Sequence, residues 1–184
     1  MPTEPSLPTM KKLLILDVDE TLIHTTREWR PTPAQFHYES VGDVYLRPHW
    51  QLFVDIVRPY YDLALWTAAS ADYLETIKKH LFSDVDFVFT WSCQHCHRAQ
   101  YADNSPLFIK SLNALDARYL LKNVIVVDDR AEALTDNPEN LVLIPPFYGN
   151  HKDEVLLQLA RYLLSPHSEN PNYPTNPENA IIAP

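Results

Sequence analysis

The stretch Lys12-Leu13-Leu14-Ile15-Leu16-Asp17-Val18-Asp19-Glu20-Thr21-Leu22 constrains the chain more than any other. Its apolar run is short enough for one buried strand, and it stops abruptly in two carboxylates. In an open α/β sheet the ligand crevice lies just beyond the carboxyl ends of the strands, so a buried strand ending in acids there builds a charged site. Strand periodicity places Asp17 and Asp19 on one side. Two anions so close repel, which calls for a cation between them or a proton on one. Taken alone, the pair reads better as a solvated strand end, and the rest of the chain decides against that.

Further short apolar runs follow. Tyr61–Trp66 leads into Thr67-Ala68-Ala69-Ser70, residues 85–89 form a third run, residues 124–127 lead into Asp128-Asp129, and residues 141–144 form a last one. Helical spacing separates them: Trp50, Phe53, Val54 and Val57; Leu74, Ile77 and Leu81 behind a Ser70 cap; Leu112, Leu115 and Tyr119; Val155, Leu156, Leu159 and Leu163. Strands alternating with helices give an α/β fold, a Rossmann-like parallel sheet with helices on both faces. After the acidic strand end, residues 23–33 read as irregular. Residues 35–39 and 44–46 read as a small β-hairpin around Gly42, a flap rather than a cap domain, and Pro48 suits the first turn of the next helix. One domain over residues 10–164 is expected, with a proline-containing disordered tail at 1–9 and a flexible Pro/Asn-rich tail at 165–184.

Composition narrows the function. A net charge of -9 argues against a nucleic-acid backbone binder, yet leaves phosphorylated substrates open because a metal can supply local positive charge. Only two glycines occur, which removes the Gly-rich phosphate loops. No stretch reads as a transmembrane segment, the run at 13–16 is too short for a signal-peptide core, and two cysteines make no disulfide framework, so a cytoplasmic protein is expected.

Three strand ends then carry polar groups at one edge of the sheet: Asp17 with Asp19, Thr67, and Asp128 with Asp129. Lys110 falls just before or within the first turn of a helix, where the helix dipole disfavours a cation, so nearby anions are expected to hold it. Oxygen donors without a histidine at matching spacing suggest Mg2+. The set suits phosphoryl transfer. One carboxylate can accept a phosphoryl group, a second can act as acid and base, and Mg2+, Lys110 and the Thr67 hydroxyl can stabilise the phosphoryl oxygens.

At these residues the chain resembles the haloacid-dehalogenase-type phosphatases. Asp17-Val18-Asp19-Glu20-Thr21 matches their DxDx(T/V) signature, and Thr67, Lys110 and Asp128-Asp129 match the motifs that follow. Arg47-Pro48 after a flap, Trp66-Thr67-Ala68, and Phe108-Ile109-Lys110-Ser111-Leu112 are similar to the C-terminal-domain phosphatases and their NLI-interacting-factor relatives. The resemblance implies Asp17 as nucleophile, Asp19 as general acid and base, and Thr67, Ala68 and Lys110 as phosphate holders. It implies a Mg2+ site from the side chains of Asp17 and Asp128 and the main-chain carbonyl of Asp19, with Asp129 beside them. Asp129 departs from the Asn usual in the polymerase-tail enzymes.

The string Cys93-Gln94-His95-Cys96-His97 matches covalent haem attachment, but without a signal peptide and inside this pattern it reads as a structural loop, with a Zn2+ site as the alternative. Trp29, Phe36, Tyr38 and Trp91 serve equally as a rim for substrate or as packing. The expected function is a Mg2+-dependent, aspartate-based phosphatase acting on phosphorylated proteins or peptides, with no membrane partner and nucleic acid disfavoured. A small-molecule or nucleic-acid-end phosphatase, or a non-catalytic phospho-binding protein, is the alternative.

Overall fold

The computed structural model describes residues 11–165. The expected tails lie outside these residues, apart from Ser165. In chain order the elements are β1 (Lys12–Leu16), β2 (Ile23–Thr26), β3 (Phe36–Tyr38), β4 (Gly42–Leu46), α1 (Trp50–Val57), β5 (Tyr61–Trp66), α2 (Ala71–Leu81), β6 (Phe87–Trp91), β7 (His97–Gln100), β8 (Pro106–Ile109), β9 (Val124–Asp128), β10 (Leu141–Leu143) and α3 (Val155–Leu163), with five short 3-10 helices between them.

Five strands make one parallel sheet in the order β10-β9-β1-β5-β6. The chain leaves β1 for β5 and β6 on one side, then crosses to β9 and β10 on the other. β1 is therefore the topological switch point, where the carboxyl ends of neighbouring strands splay and leave a crevice. Leu13 to Leu16 have no exposed surface, as a strand covered on both faces requires. Alternation divides them between two cores. Leu14 and Leu16 join Leu63, Leu65 and the apolar faces of α1, α2 and α3. Leu13 and Ile15 join Ala64, Trp66, Val124, Val126 and Leu134. Both faces thus carry helix, but of different kinds: α-helices on the first, 3-10 turns on the second.

Three local expectations change, and one element is added. Residues 23–33 are not wholly irregular, because Ile23–Thr26 pairs antiparallel with β4 and makes the flap three-stranded, in the order β2-β4-β3. Gly42 is needed there: its φ is +105°, and a Cβ would run into the Thr26 carbonyl. α1 starts at Trp50, with Pro48 two residues ahead of its first turn. Leu112, Leu115 and Tyr119 do not lie on an α-helix. Leu112–Ala114 is a single 3-10 turn, held where the Leu112 amide donates to Asn137 Oδ1 at 3.0 Å, and Asp116 stops further helix by accepting from the Arg118 amide. Finally, the stretch after β6 contains a hairpin, β7 with β8.

Candidate active site

Backbone hydrogen bonds beyond the strand ends fix the three loops that carry the polar groups. The Asp17 amide donates to Val127 O at 2.9 Å, extending the β1–β9 ladder by one residue, and the Thr67 amide does the same to Trp91 O at 2.9 Å. Lys110 follows β8 rather than opening an α-helix, and its amide donates to Ala133 O at 2.7 Å. Its position is therefore set by the β7–β8 hairpin, not by a helix dipole.

Asp17, Asp19, Thr67, Ala68, Lys110, Asp128 and Asp129 all line one cleft, joined by Glu20, Phe108, Arg130 and Ala133. Lys110 Nζ donates to Asp17 Oδ1 at 2.6 Å and to Asp128 Oδ2 at 2.7 Å, with all three residues buried. Burial would drive the Lys110 pKa down, but Asp128 and Asp17 outweigh it and hold the ammonium charged. Carboxylate oxygens of Asp17, Asp128 and Asp129 lie within 4.8 Å of one another. Burial raises the Asp17 carboxyl well above its ordinary range against the pull of Lys110, with Asp128 adding to the rise. Burial also pushes Asp129 up to about 6, helped by Asp128. One lysine does not balance these acids.

Asp19 faces elsewhere. Its Oδ2 accepts from the Thr67 hydroxyl at 3.1 Å, and its Oδ1 accepts a short hydrogen bond from the Tyr73 hydroxyl. Burial raises its carboxyl, while the Tyr73 and Thr67 hydrogen bonds oppose the rise. The Thr67 hydroxyl in turn accepts from the Ala69 amide at 3.0 Å. Sequence reasoning missed Tyr73, whose signal was its place in the first turn of a helix capped by Ser70, right after a strand end.

Glu20, also missed, sits in the left-handed region at φ 56°. Its carboxyl is pushed up to about 7 by burial, then by Asp19 and Asp129. It contacts His24 Nδ1 at 3.3 Å, and His24 Nε2 meets Arg30 Nη2 at 3.1 Å. A donor on the Nε2 side fixes the neutral tautomer with its proton on Nδ1, facing Glu20. Arg30 continues to Tyr148 O at 2.6 Å, so the cleft wall is tied to a loop far along the chain.

None of Trp29, Phe36, Tyr38 and Trp91 lines the cleft. Phe36 stacks on His80, Tyr38 on Tyr73, and Trp91 on Phe89 and His95, while Trp29 is 84% exposed. Cys93–His95 is one 3-10 turn, both thiols are free, and among the described residues no third donor from His, Cys, Asp or Glu joins them.

A family model for NLI interacting factor-like phosphatases matches residues 12–181. The chain belongs to this family. Among curated members it is 29% identical over 164 residues to CTD nuclear envelope phosphatase 1B of Danio rerio, covering 81% of this chain and 64% of that one. It is 28% identical to nuclear envelope morphology protein 1 of Schizosaccharomyces pombe, covering 83% of this chain and 33% of that one. With the ubiquitin-like domain-containing CTD phosphatase 1 of Gallus gallus it shares 28% identity, over 83% of this chain and 49% of that one. The chain thus spans less than two thirds of the length of these relatives. The fold matches fission yeast RNA polymerase II CTD phosphatase Fcp1 bound to beryllium fluoride, with a TM-score of 0.56, 19% identity, and coverage of 83% of this chain and 49% of that one.

These NLI interacting factor-like relatives correct the cytoplasmic expectation, since several are named for the nuclear envelope. A low cysteine count reports redox conditions, and it cannot separate addresses within a reducing compartment. Among the described residues no helix is long and apolar enough to cross a membrane. In this family member the donor set Asp17, Asp128 and Asp129 is all carboxylate and under-compensated by Lys110, which suits a hard divalent cation such as Mg2+.

Proposed function

We propose that this chain is a Mg2+-dependent phosphomonoester hydrolase that works through an aspartyl-phosphate on Asp17 and acts on phosphoproteins. One observation carries the reading: two carboxylates two residues apart have different surroundings. Asp17 lies against Lys110 and the acid cluster, whereas Asp19 is turned onto Thr67 and Tyr73. Environments that differ this way assign different jobs to a pair of acids.

Asp17 is the nucleophile. Its carboxylate oxygen forms the bond to phosphorus as the bond to the leaving oxygen breaks, and Asp19 gives that oxygen its proton. Asp19, now a carboxylate, takes a proton from water, and the water oxygen attacks phosphorus and releases Asp17. Tyr73 holds Asp19 at the angle both transfers need, and Thr67 shares that task until a phosphoryl oxygen takes its one hydroxyl proton. Lys110 offsets charge on the phosphoryl oxygens and the Thr67 hydroxyl donates to one of them, with Ala68 beside them. Mg2+ would be held by Asp17, Asp128 and the main-chain carbonyl of Asp19, with Asp129 beside them, and would supply positive charge that lets a phosphate enter among carboxylates.

The cleft holds about 70 Å3, whereas pockets that engulf small molecules run to roughly 300–1,000 Å3. That favours a phosphoryl group presented on a macromolecule over a whole metabolite. The relatives are named CTD phosphatases, which supports a phosphoprotein substrate, and the net charge of -9 disfavours nucleic-acid ends. The names of the relatives further support residence at the nuclear envelope, which imaging of the tagged chain tests.

The deciding assay measures hydrolysis of an aryl phosphate, phosphoserine, phosphothreonine and phosphotyrosine peptides, and a panel of phosphorylated metabolites, with Mg2+ and in excess EDTA. Peptide hydrolysis that needs Mg2+ is expected. Full activity in EDTA removes the metal assignment, a preference for metabolites replaces the substrate class, and binding without turnover makes the chain a phospho-binding protein.

A further inference from the structure

Arg130 is the cation of the cleft that the mechanism leaves unused. It lines the cleft yet is itself exposed. Its amide donates to Asp128 Oδ1 at 2.9 Å, which pins the residue beside the acid cluster. Its guanidinium does not turn in to pair with those acids. Nη2 donates instead to the Tyr101 hydroxyl at 2.7 Å, at the turn of the β7–β8 hairpin, and among the described residues no carboxylate makes a salt bridge with it. An arginine meant only to offset the acids would face one of them in a fork-to-fork pair. A phenol holds the same group in place without pairing its charge, which is felt by Asp129 and Glu20 only through space. The reacting phosphoryl group has to reach Asp17, Thr67 and Lys110, all buried, so an exposed arginine tied outward to the hairpin stands at the rim, one step away from the chemistry.

We infer that Arg130 is a specificity-determining residue that receives a second anionic group of the substrate, a carboxylate or phosphate flanking the scissile phosphate. The inference rests on the phosphoprotein reading above. Arginine suits the task, because its planar fork takes either anion through two hydrogen bonds. Tyr101 is a positioning residue that presents the fork.

The test uses phosphopeptides that differ only at one flanking position, filled by glutamate, phosphoserine or alanine, on each side in turn. An aryl phosphate runs alongside. From a charge-assisted contact partly screened by solvent, kcat/KM for an anionic peptide should exceed that for the alanine peptide by about five- to tenfold, and added salt should shrink the ratio. Arg130→Gln should collapse the ratio toward one, Arg130→Lys should keep part of it, and Tyr101→Phe should lower it less. The glutamate and phosphoserine arms show which anion is preferred. A wild-type ratio near one overturns the inference. So does an Arg130→Gln variant that slows the aryl phosphate and all peptides alike, because Arg130 then acts on the reacting phosphoryl group. The same peptides titrated by fluorescence anisotropy onto Asp17→Asn give the ratio as an affinity. If turnover is absent but that ratio stands, the hydrolase reading fails and the inference survives.

Discussion

Arg47 and Lys110 are both enclosed, at 0% and 1% exposure, and both face carboxylates, but the two surroundings differ in balance. Arg47 donates through Nε and Nη2 to both oxygens of Asp153 at 2.9 Å, through Nη1 to Thr21 O at 3.0 Å and through Nη2 to Pro145 O at 2.9 Å. One cation meets one anion, backbone carbonyls take two of the three remaining donors, and the Phe147 ring covers the guanidinium 5.4 Å away. Lys110 meets two carboxylates directly, with Asp129 beside them and Asp19 and Glu20 lining the same cleft. The first arrangement is closed and neutral, and it fixes structure. The second is open and short of positive charge, and it is made to receive something. A buried charge signals function where its neighbourhood does not add up, rather than because it is buried.

Substitutions should separate the two arrangements. The largest effect is expected from Asp17→Asn in the unbalanced set: turnover of every substrate should vanish and a rapid-quench search should find no acyl phosphate. Phosphoenzyme on that variant would mean the nucleophile lies elsewhere. Next comes a matched pair. Lys110→Met should cut kcat/KM by about 10²–10³-fold or more while, with Mg2+ present to offset the charge left on Asp17 and Asp128, circular dichroism still shows a folded protein, whereas Arg47→Met in the same buffer should cost about 3–5 kcal/mol of stability because nothing replaces the cation that pairs the buried Asp153. If denaturant melts show equal stability losses, the distinction between the two sites collapses.

Within the unbalanced set, Asp19→Asn should slow an alkyl phosphate such as phosphoserine far more than an aryl phosphate, whose leaving group needs little protonation; general acid–base assistance is worth about 10²–10⁴-fold. Tyr73→Phe should move the same aryl-to-alkyl ratio in the same direction by a smaller factor, since it loosens Asp19 without removing it. An unchanged ratio in Tyr73→Phe would make Tyr73 a packing residue.

The smallest effect concerns the link between the regions. Burial and Arg30 lower the His24 pKa below its ordinary value, and Glu20 faces the ring on its other side. In the unfolded chain His24 takes up a proton near pH 6.5, but in the fold it resists until lower pH. The stability it contributes is therefore complete above about pH 6.5 and is lost as pH falls toward the depressed folded value. The Tm of the wild type should fall more between pH 7.5 and 5.5 than that of His24→Gln, and parallel slopes would remove His24 from the account.

The sheet and most of the cleft were legible because buried parallel strands write themselves as unbroken apolar runs, and the acids that close β1 and β9 follow such runs directly. Thr67 was legible for the same reason at the end of β5. What escaped has no comparable pattern. β7 reads His97-Arg98-Ala99-Gln100, mostly exposed, so no alternation marks it as a strand, and the placement of Lys110 by a hairpin stayed hidden with it. The residues after Lys110 carry helical spacing, yet side-chain acceptors at Asn137 and Asp116 capture the amides a helix would use. Tyr73 looked like one more residue of an amphipathic helix, because contact with Asp19 depends on where that helix docks and not on its own sequence. Arg47 showed only as part of a short motif; its partner Asp153 lies 106 residues away, beyond the reach of any local pattern.

That separation has a consequence for the growing chain. Arg47, Thr21 and the strand that leads into Asp17 leave the ribosome long before Pro145 and Asp153 do, so the clamp on the carbonyl behind the acidic loop is not complete until the segment ahead of α3 has been made. A nascent chain halted before Asp153 would hold every acid of the cleft and a guanidinium with no counter-charge. The site loop is thereby locked only once the segment around Asp153 has emerged, and a partly made protein has the residues for the chemistry without the clamp that sets them.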